Sequence, residues 1–187
     1  DHPVVVPPEG IDHKKAVDAI IGSIMASAVF DMVGVGVEFL NDCIAKPLLL
    51  GKANITWSHP RSSRFNAAYV RGTPSDDTSQ NVLIMRTIVE SNKGKENSSS
   101  LAFSCKNVRF DPCIFAAKLS DWIYHGHSEH KHTEGLGCGA TTQDVIKHSE
   151  FLTDPIFAAE DIWIKGSRTK APNGAVMRIA SSGCFAF

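Results

Sequence analysis

Apolar and polar positions along this chain recur with a helical period and rarely with the two-residue period of a strand. The first block runs from Ala16 to Leu40 and is apolar and small, with Gly22, Ser23, Ala26, Ser27 and Ala28 leading to Asp31, Gly34, Gly36 and Glu38. Asp12 is placed to cap a helix that begins near His13-Lys14-Lys15. Gly22 and Ala26 allow close helix packing, and a helix apolar all round belongs at the centre of a domain. Gly34 and Gly36 predict that it ends or loosens there. A second helix is predicted over residues 77–91, after Ser75 as N-cap. Asp111-Pro112 opens a third over Cys113–Tyr124, with Ile114, Phe115, Ala117 and Leu119 inward and Trp122 near its end. Thr142–His148 and Phe151–Trp163, the latter around Asp154-Pro155, supply two more. Residues 51–72 and the serine-rich 91–100 read as polar connections. The pattern predicts an irregular arm over residues 1–12 and one mainly helical, all-α domain over 13–187.

Composition adds bounds. A chain of 187 residues, 43% apolar and 21% charged, suits one globular domain. Its formal charge of −1 gives no reason to expect nucleic acid or an anionic membrane as partner. Five irregularly spaced cysteines contain no Cys-x-x-Cys, so neither a zinc knuckle nor a redox pair is signalled. Their odd count favours a reducing compartment, hence the cytoplasm. The chain begins at Asp1, as a processed chain or a fragment would. The run Ala19–Phe30 is shorter than a bilayer span and is ended by Asp31, so the expectation is a soluble protein.

Candidate chemistry starts at Ser75-Asp76-Asp77-Thr78. Carboxylates at a helix start are favoured by the unpaired backbone N–H groups, and the same oxygens could hold Mg²⁺, Mn²⁺ or Ca²⁺. Asp31 and Glu38 interrupt an apolar setting, where each needs a cation, a metal or backbone donors. His125, His127, His130 and His132 could bind a transition metal or simply occupy a surface loop, since their spacing matches no standard motif. Gly135-Leu-Gly-Cys-Gly-Ala-Thr-Thr142 offers glycine N–H groups ahead of a helix, as an anion cradle or a plain turn. Arg178, in an apolar segment after Asn173-Gly174, needs an anionic partner.

Taken in order, several of these motifs resemble the ADP-ribosylglycohydrolase family, fungal members in particular. They are Phe30-Asp31-Met32 with Glu38-Phe39, then Ser75-Asp76-Asp77-Thr78-Ser79-Gln80, the glycine turn from Gly135, and Pro172-Asn-Gly-Ala-Val-Met-Arg178. The resemblance covers roughly residues 17–185. It implies a compact orthogonal all-α domain that cleaves the glycosidic bond joining ADP-ribose to a protein side chain or small molecule, with a pair of Mg²⁺ or Mn²⁺ ions. It implies metal-binding oxygens from Ser75, Asp76 and Asp77, Glu38 as the catalytic carboxylate, and Asp31 in a supporting role. Gly135, Gly137, Gly139, Thr141, Asn173, Gly174 and Arg178 would line or support the ADP-ribose site. The sequence departs from the family pattern at Phe30, expected to crowd the first helix, and at Pro74 and Ser79. It also has no Asp-x-Asp after Asp77, where the family carries its second ligand set. The alternative is therefore a truncated, catalytically impaired relative that binds ADP-ribose or a protein.

Overall fold

The structure, a computed structural model, describes residues 12–50, 72–93, 108–127, 129 and 134–184. In chain order its helices are α1 (His13–Gly34), α2 (Asp42–Leu50), α3 (Asp76–Ser91), α4 (Pro112–His125), α5 (Ala140–Ile146), α6 (Pro155–Lys165), α7 (Gly174–Met177) and α8 (Ala180–Cys184). No strand occurs among the described residues, and the class is all-α. The arm over 1–11, and most of the predicted polar connections, lie outside the described residues.

Local chemistry sets the helix starts. Asp12 accepts the Lys14 N–H at 2.9 Å, and Ser75 accepts that of Asp77 at 3.2 Å. Asp111 takes the N–H groups of Cys113 and Ile114, while Asp154 takes that of Phe157 at 3.0 Å. Proline follows directly in the last two cases, where its missing N–H and fixed φ suit the first helical turn. Ends differ modestly from expectation: α5 starts two residues earlier, at Ala140, and α1 stops at Gly34. The hydrophobic pattern did not single out α2, which contains Pro47 in its interior.

The central element is α3, not α1. It touches α1, α4, α7 and α8, and it buries Asp76, Gln80, Asn81, Leu83, Ile84, Thr87 and Ile88. Leu83 joins Ala116, Leu119, Trp122, Phe151 and Ala158 in the core, with Phe115, Cys138 and Val145 packed against it. On α4 the buried stripe is Ala116, Leu119 and Trp122. Leu119 is buried and Phe115 packs on the core as expected, but Ala117, expected inward, faces solvent and Ala116 is the buried alanine.

By contrast α1 is peripheral. Val17, Ile21, Met25 and Val29 recur every fourth residue, and each is at least 38% exposed. Phe30 is 75% exposed and crowds nothing. An apolar composition without periodic contrast says only that a helix can be buried; the partner decides whether it is. The length argument from Ala19–Phe30 is also corrected, because the continuous helix Lys14–Gly34 is long and apolar enough to cross a bilayer. Besides packing against α8, α1 is bound to the rest by a polar contact near its C-terminal end, described below.

The end of α3 is fastened to the chain entering α4. Asn92 donates to the Arg109 carbonyl at 2.9 Å and accepts the Arg109 N–H at 3.1 Å. Ser91 Oγ accepts the Asp111 N–H at 3.1 Å, and Lys118 pairs with Glu90 at 2.6 Å. At the far side α5 and α6 are joined by His148, which donates to Asp161 at 3.0 Å. These contacts predict a graded response to truncation. Leu119→Ala should cost about 2–5 kcal/mol in chemical denaturation. Ile21→Ala, on the exposed stripe, should change stability by less than about 0.5 kcal/mol.

Candidate functional site

The site is built where α1 ends and α3 begins. Ser75 opens α3 in an extended conformation, and its Oγ accepts the Asp77 N–H. A second cap arrives from a distant part of the chain. Asp31 Oδ1 accepts the Ser75 hydroxyl at 2.6 Å. Its Oδ2 accepts the Ser75 N–H at 3.0 Å, the Thr78 N–H at 3.2 Å and the Thr78 hydroxyl at 2.6 Å. One carboxylate thus satisfies two of the orphan donors of the helix start and fixes both flanking hydroxyls.

With the capping done by Ser75 and Asp31, Asp76 and Asp77 are left for other work. Asp76 is buried, and its Oδ2 accepts the side-chain amide of Gln80 at 3.1 Å, one turn along the helix. Burial and the neighbouring Asp77 push the Asp76 carboxyl up to about 7, with smaller contributions from Glu38 and Asp31. Asp77 is raised by burial and Asp31, against which Arg178 pulls it down. Glu38 lies in the turn that follows α1, next to Phe39 with φ +60. Burial, Asp77 and Asp31 raise its carboxyl in turn. The two early acids therefore meet the α3 pair even though α1 does not continue between them.

Two residues from the C-terminal third close the cluster. Arg178 is half-buried, donates through Nε to the Gly174 carbonyl, and carries its charge close to Asp76 and Asp77. A Cβ on Gly174 would meet that guanidinium, the far end of a flexible side chain. Cys138 is the second, and sequence reasoning gave it no role. Burial and Asp76 push its thiol up to about 11.

The other glycines of the turn have backbone reasons. A Cβ on Gly135 would approach the Trp122 ring to 2.8 Å, and Gly137 has φ +84. Gly139 precedes α5 and meets nothing within 4 Å. Thr141 is half-buried on α5, and Asn173 is exposed at the start of α7. The structure links Arg178, Gly174 and Cys138 to the acids; it gives no contact between the acids and Gly139, Thr141 or the Asn173 side chain. The histidine group does not gather on this site. His125 pairs with Asp121 at 2.8 Å on the surface, His127 is buried beside Trp122, and His130 and His132 lie outside the described residues.

Chemically this is a patch of four carboxylates facing one arginine. Its hydroxyl and carboxylate oxygens are the hard donors that Mg²⁺ or Mn²⁺ takes, and a cation there would offset the burial and the Asp77 repulsion that raise Asp76. The oxygens are of the donor type a divalent ion takes, but among the described residues no group of three or more His, Cys, Asp or Glu side chains is placed to hold a metal ion.

Two outcomes follow for the metal-free protein. Asp31→Ala removes charge-assisted hydrogen bonds worth about 1.5–3 kcal/mol each and should cost at least about 2 kcal/mol in denaturation. Asp76, ordinarily titrating near 3.8, holds its proton to about 7 in the folded chain. Between these values the folded chain binds a proton that the unfolded chain has released, so stability falls as pH rises. The melting temperature should be higher at pH 5 than at pH 8, and Asp76→Asn should flatten that difference.

The ADP-ribosylglycohydrolase family model matches residues 12–187, nearly the whole chain. No curated protein and no solved structure matches it. The family match covers α1, the Ser75–Gln80 helix start, the glycine turn and the Arg178 segment in one stretch, and on that ground the chain belongs to the ADP-ribosylglycohydrolase family.

Proposed function

We propose that the chain is a metal-dependent hydrolase that cleaves the glycosidic bond between ADP-ribose and a protein side chain or a small molecule. The observation that carries this reading is the meeting of Asp31, Glu38, Asp76 and Asp77 at one helix start, in a family that acts on ADP-ribosylated substrates. Breaking a ribosyl bond gives the sugar oxocarbenium character, and a fixed surplus of negative charge stabilises that charge as it develops.

The geometry supports the following roles. Ser75 keeps one oxygen lone pair after donating to Asp31 and accepting from Asp77. With Asp76 and Asp77 it would hold Mg²⁺ or Mn²⁺, which when bound orients the ribose hydroxyls and lowers the pKa of water. Asp31 has four donors on its two oxygens and acts by holding Ser75 and Thr78 in place. Glu38 serves as the general base. Its raised pKa moves it toward neutrality, where a carboxylate accepts a proton more effectively. Arg178 offsets part of the charge on Asp76 and Asp77 and so keeps the patch folded before substrate arrives. The turn from Gly135 to Thr141 and the Asn173–Gly174 segment would flank the ADP-ribose.

A second reading, an ADP-ribose-binding or protein-interaction domain without turnover, draws on one specific observation. Among the described residues no group of three or more acids, histidines or cysteines is placed to hold a metal ion, and no Asp-x-Asp follows Asp77 to complete one. The two readings separate in a single assay, release of ADP-ribose from modified arginine or serine peptides with Mg²⁺ or Mn²⁺. A hydrolase should lose its rate in EDTA, and Glu38→Gln should lower kcat by about 10²–10⁴ while leaving folding intact. A rate that survives both treatments sinks the mechanism. Absence of release with retained calorimetric binding of ADP-ribose favours the second reading.

A further inference from the structure

Among the described residues three non-glycine residues have positive φ, and Phe39, at φ +60, is the one aromatic residue of the three. For a bulky L-residue this left-handed conformation is strained, because Cβ crowds the following carbonyl. Phe39 is also 73% exposed, so its ring gains little from burial. Neither the backbone nor the core therefore accounts for phenylalanine here. Glycine would adopt the same φ without strain, and a polar side chain would suit the exposure. What phenylalanine supplies and they do not is an aromatic face open to solvent.

Its place in the chain gives that face a use. A single peptide bond joins Phe39 to Glu38, which holds their Cα atoms about 3.8 Å apart. Glu38 is itself exposed and lies within electrostatic reach of Asp77 and Asp31. We propose that Phe39 is a substrate-contact residue, its ring packing on the ribosyl unit that reacts beside Glu38. The C–H face of a furanose is apolar and suits an aromatic ring. The negative face of that ring also favours the positive character the sugar gains as its glycosidic bond breaks. An aliphatic side chain supplies the first effect without the second. This inference rests on the hydrolase reading above, not on its metal ligands.

The test is release of ADP-ribose from modified arginine or serine peptides by the full chain, with thermal unfolding of each variant recorded alongside. Phe39→Gly relieves the backbone and removes the ring. Phe39→Leu keeps an apolar side chain without the aromatic face, and Phe39→Tyr keeps the face. Phe39→Gly should melt no lower than the wild type, while its kcat/KM falls about tenfold or more. Phe39→Leu should lose a similar factor, mostly in kcat, because the contact strengthens in the transition state. Phe39→Tyr should restore most of that loss. A wild-type rate in Phe39→Leu or Phe39→Gly, or a Phe39→Tyr as slow as Phe39→Leu, overturns the contact while the hydrolase reading stands. So does a Phe39→Gly that melts several degrees below the wild type, which makes the ring a structural one. If the wild type releases no ADP-ribose, the hydrolase reading itself falls, and this inference with it.

Discussion

The structure depends on one carboxylate. Asp31 sits one helical turn from the end of α1, and its two oxygens take four hydrogen bonds from Ser75 and Thr78, more than forty residues away. Without it α1 would offer the rest of the molecule mainly an apolar surface that the described residues leave exposed. With it the helix is fastened to the start of α3, beside its packing against α8. The same bonds satisfy N–H groups that no intrahelical partner can reach. Tertiary attachment and helix capping are here a single interaction.

Attachment at that point has an electrostatic consequence. It draws Asp31 and, through the turn at residues 35–39, Glu38 toward Asp76 and Asp77. Burial then penalises the charges of Glu38, Asp76 and Asp77, and Arg178 opposes only part of it. The buried polar face of α3 continues past the acids. Asn81 Oδ1 accepts the Ser181 N–H at 3.1 Å across a hundred residues of chain, capping α8 from the side. A helix with Asp, Gln, Asn and Thr on its inner face is an expensive core element. Its cost is offset because nearly every one of those side chains also orders another element or another side chain.

These features differ in how far the sequence reveals them. Caps at Asp12, Ser75, Asp111 and Asp154 are legible because the interaction closes within three residues of itself. The motif order from Asp31 to Arg178 is legible too, and with it the family. The identity of the central helix is not. Hydropathy selects α1, whereas burial follows the partner surface, and the buried Asp76, Gln80, Asn81 and Thr87 make α3 less apolar than α1. On α4 only Ala117 is placed wrongly, because Ala116 and Ala117 are the same residue type and only packing tells them apart. Pairing of Asp31 with Ser75 leaves no trace in spacing. For Gln80 and Cys138 a partial signal exists: the first lies one turn after Asp76, and the second lies inside the glycine turn.

The opening ambiguity of the acids, helix capping against chemistry, can be weighed by magnitude. A carboxylate at a helix N-terminus gains about 0.3–1 kcal/mol from the helix dipole. Asp76 is displaced from 3.8 to about 7, and each pKa unit is worth about 1.4 kcal/mol, so the environment disfavours its charge by something on the order of 4 kcal/mol. The dipole loses. Capping needs no second or third acid either, because Ser75 and Asp31 already hold the donors that capping would serve. Acids kept in place against such a penalty are the arrangement found where a cation or a developing positive charge is to be met. The penalty is largest for the metal-free, substrate-free chain, and it falls in the presence of the charge the site is arranged to receive.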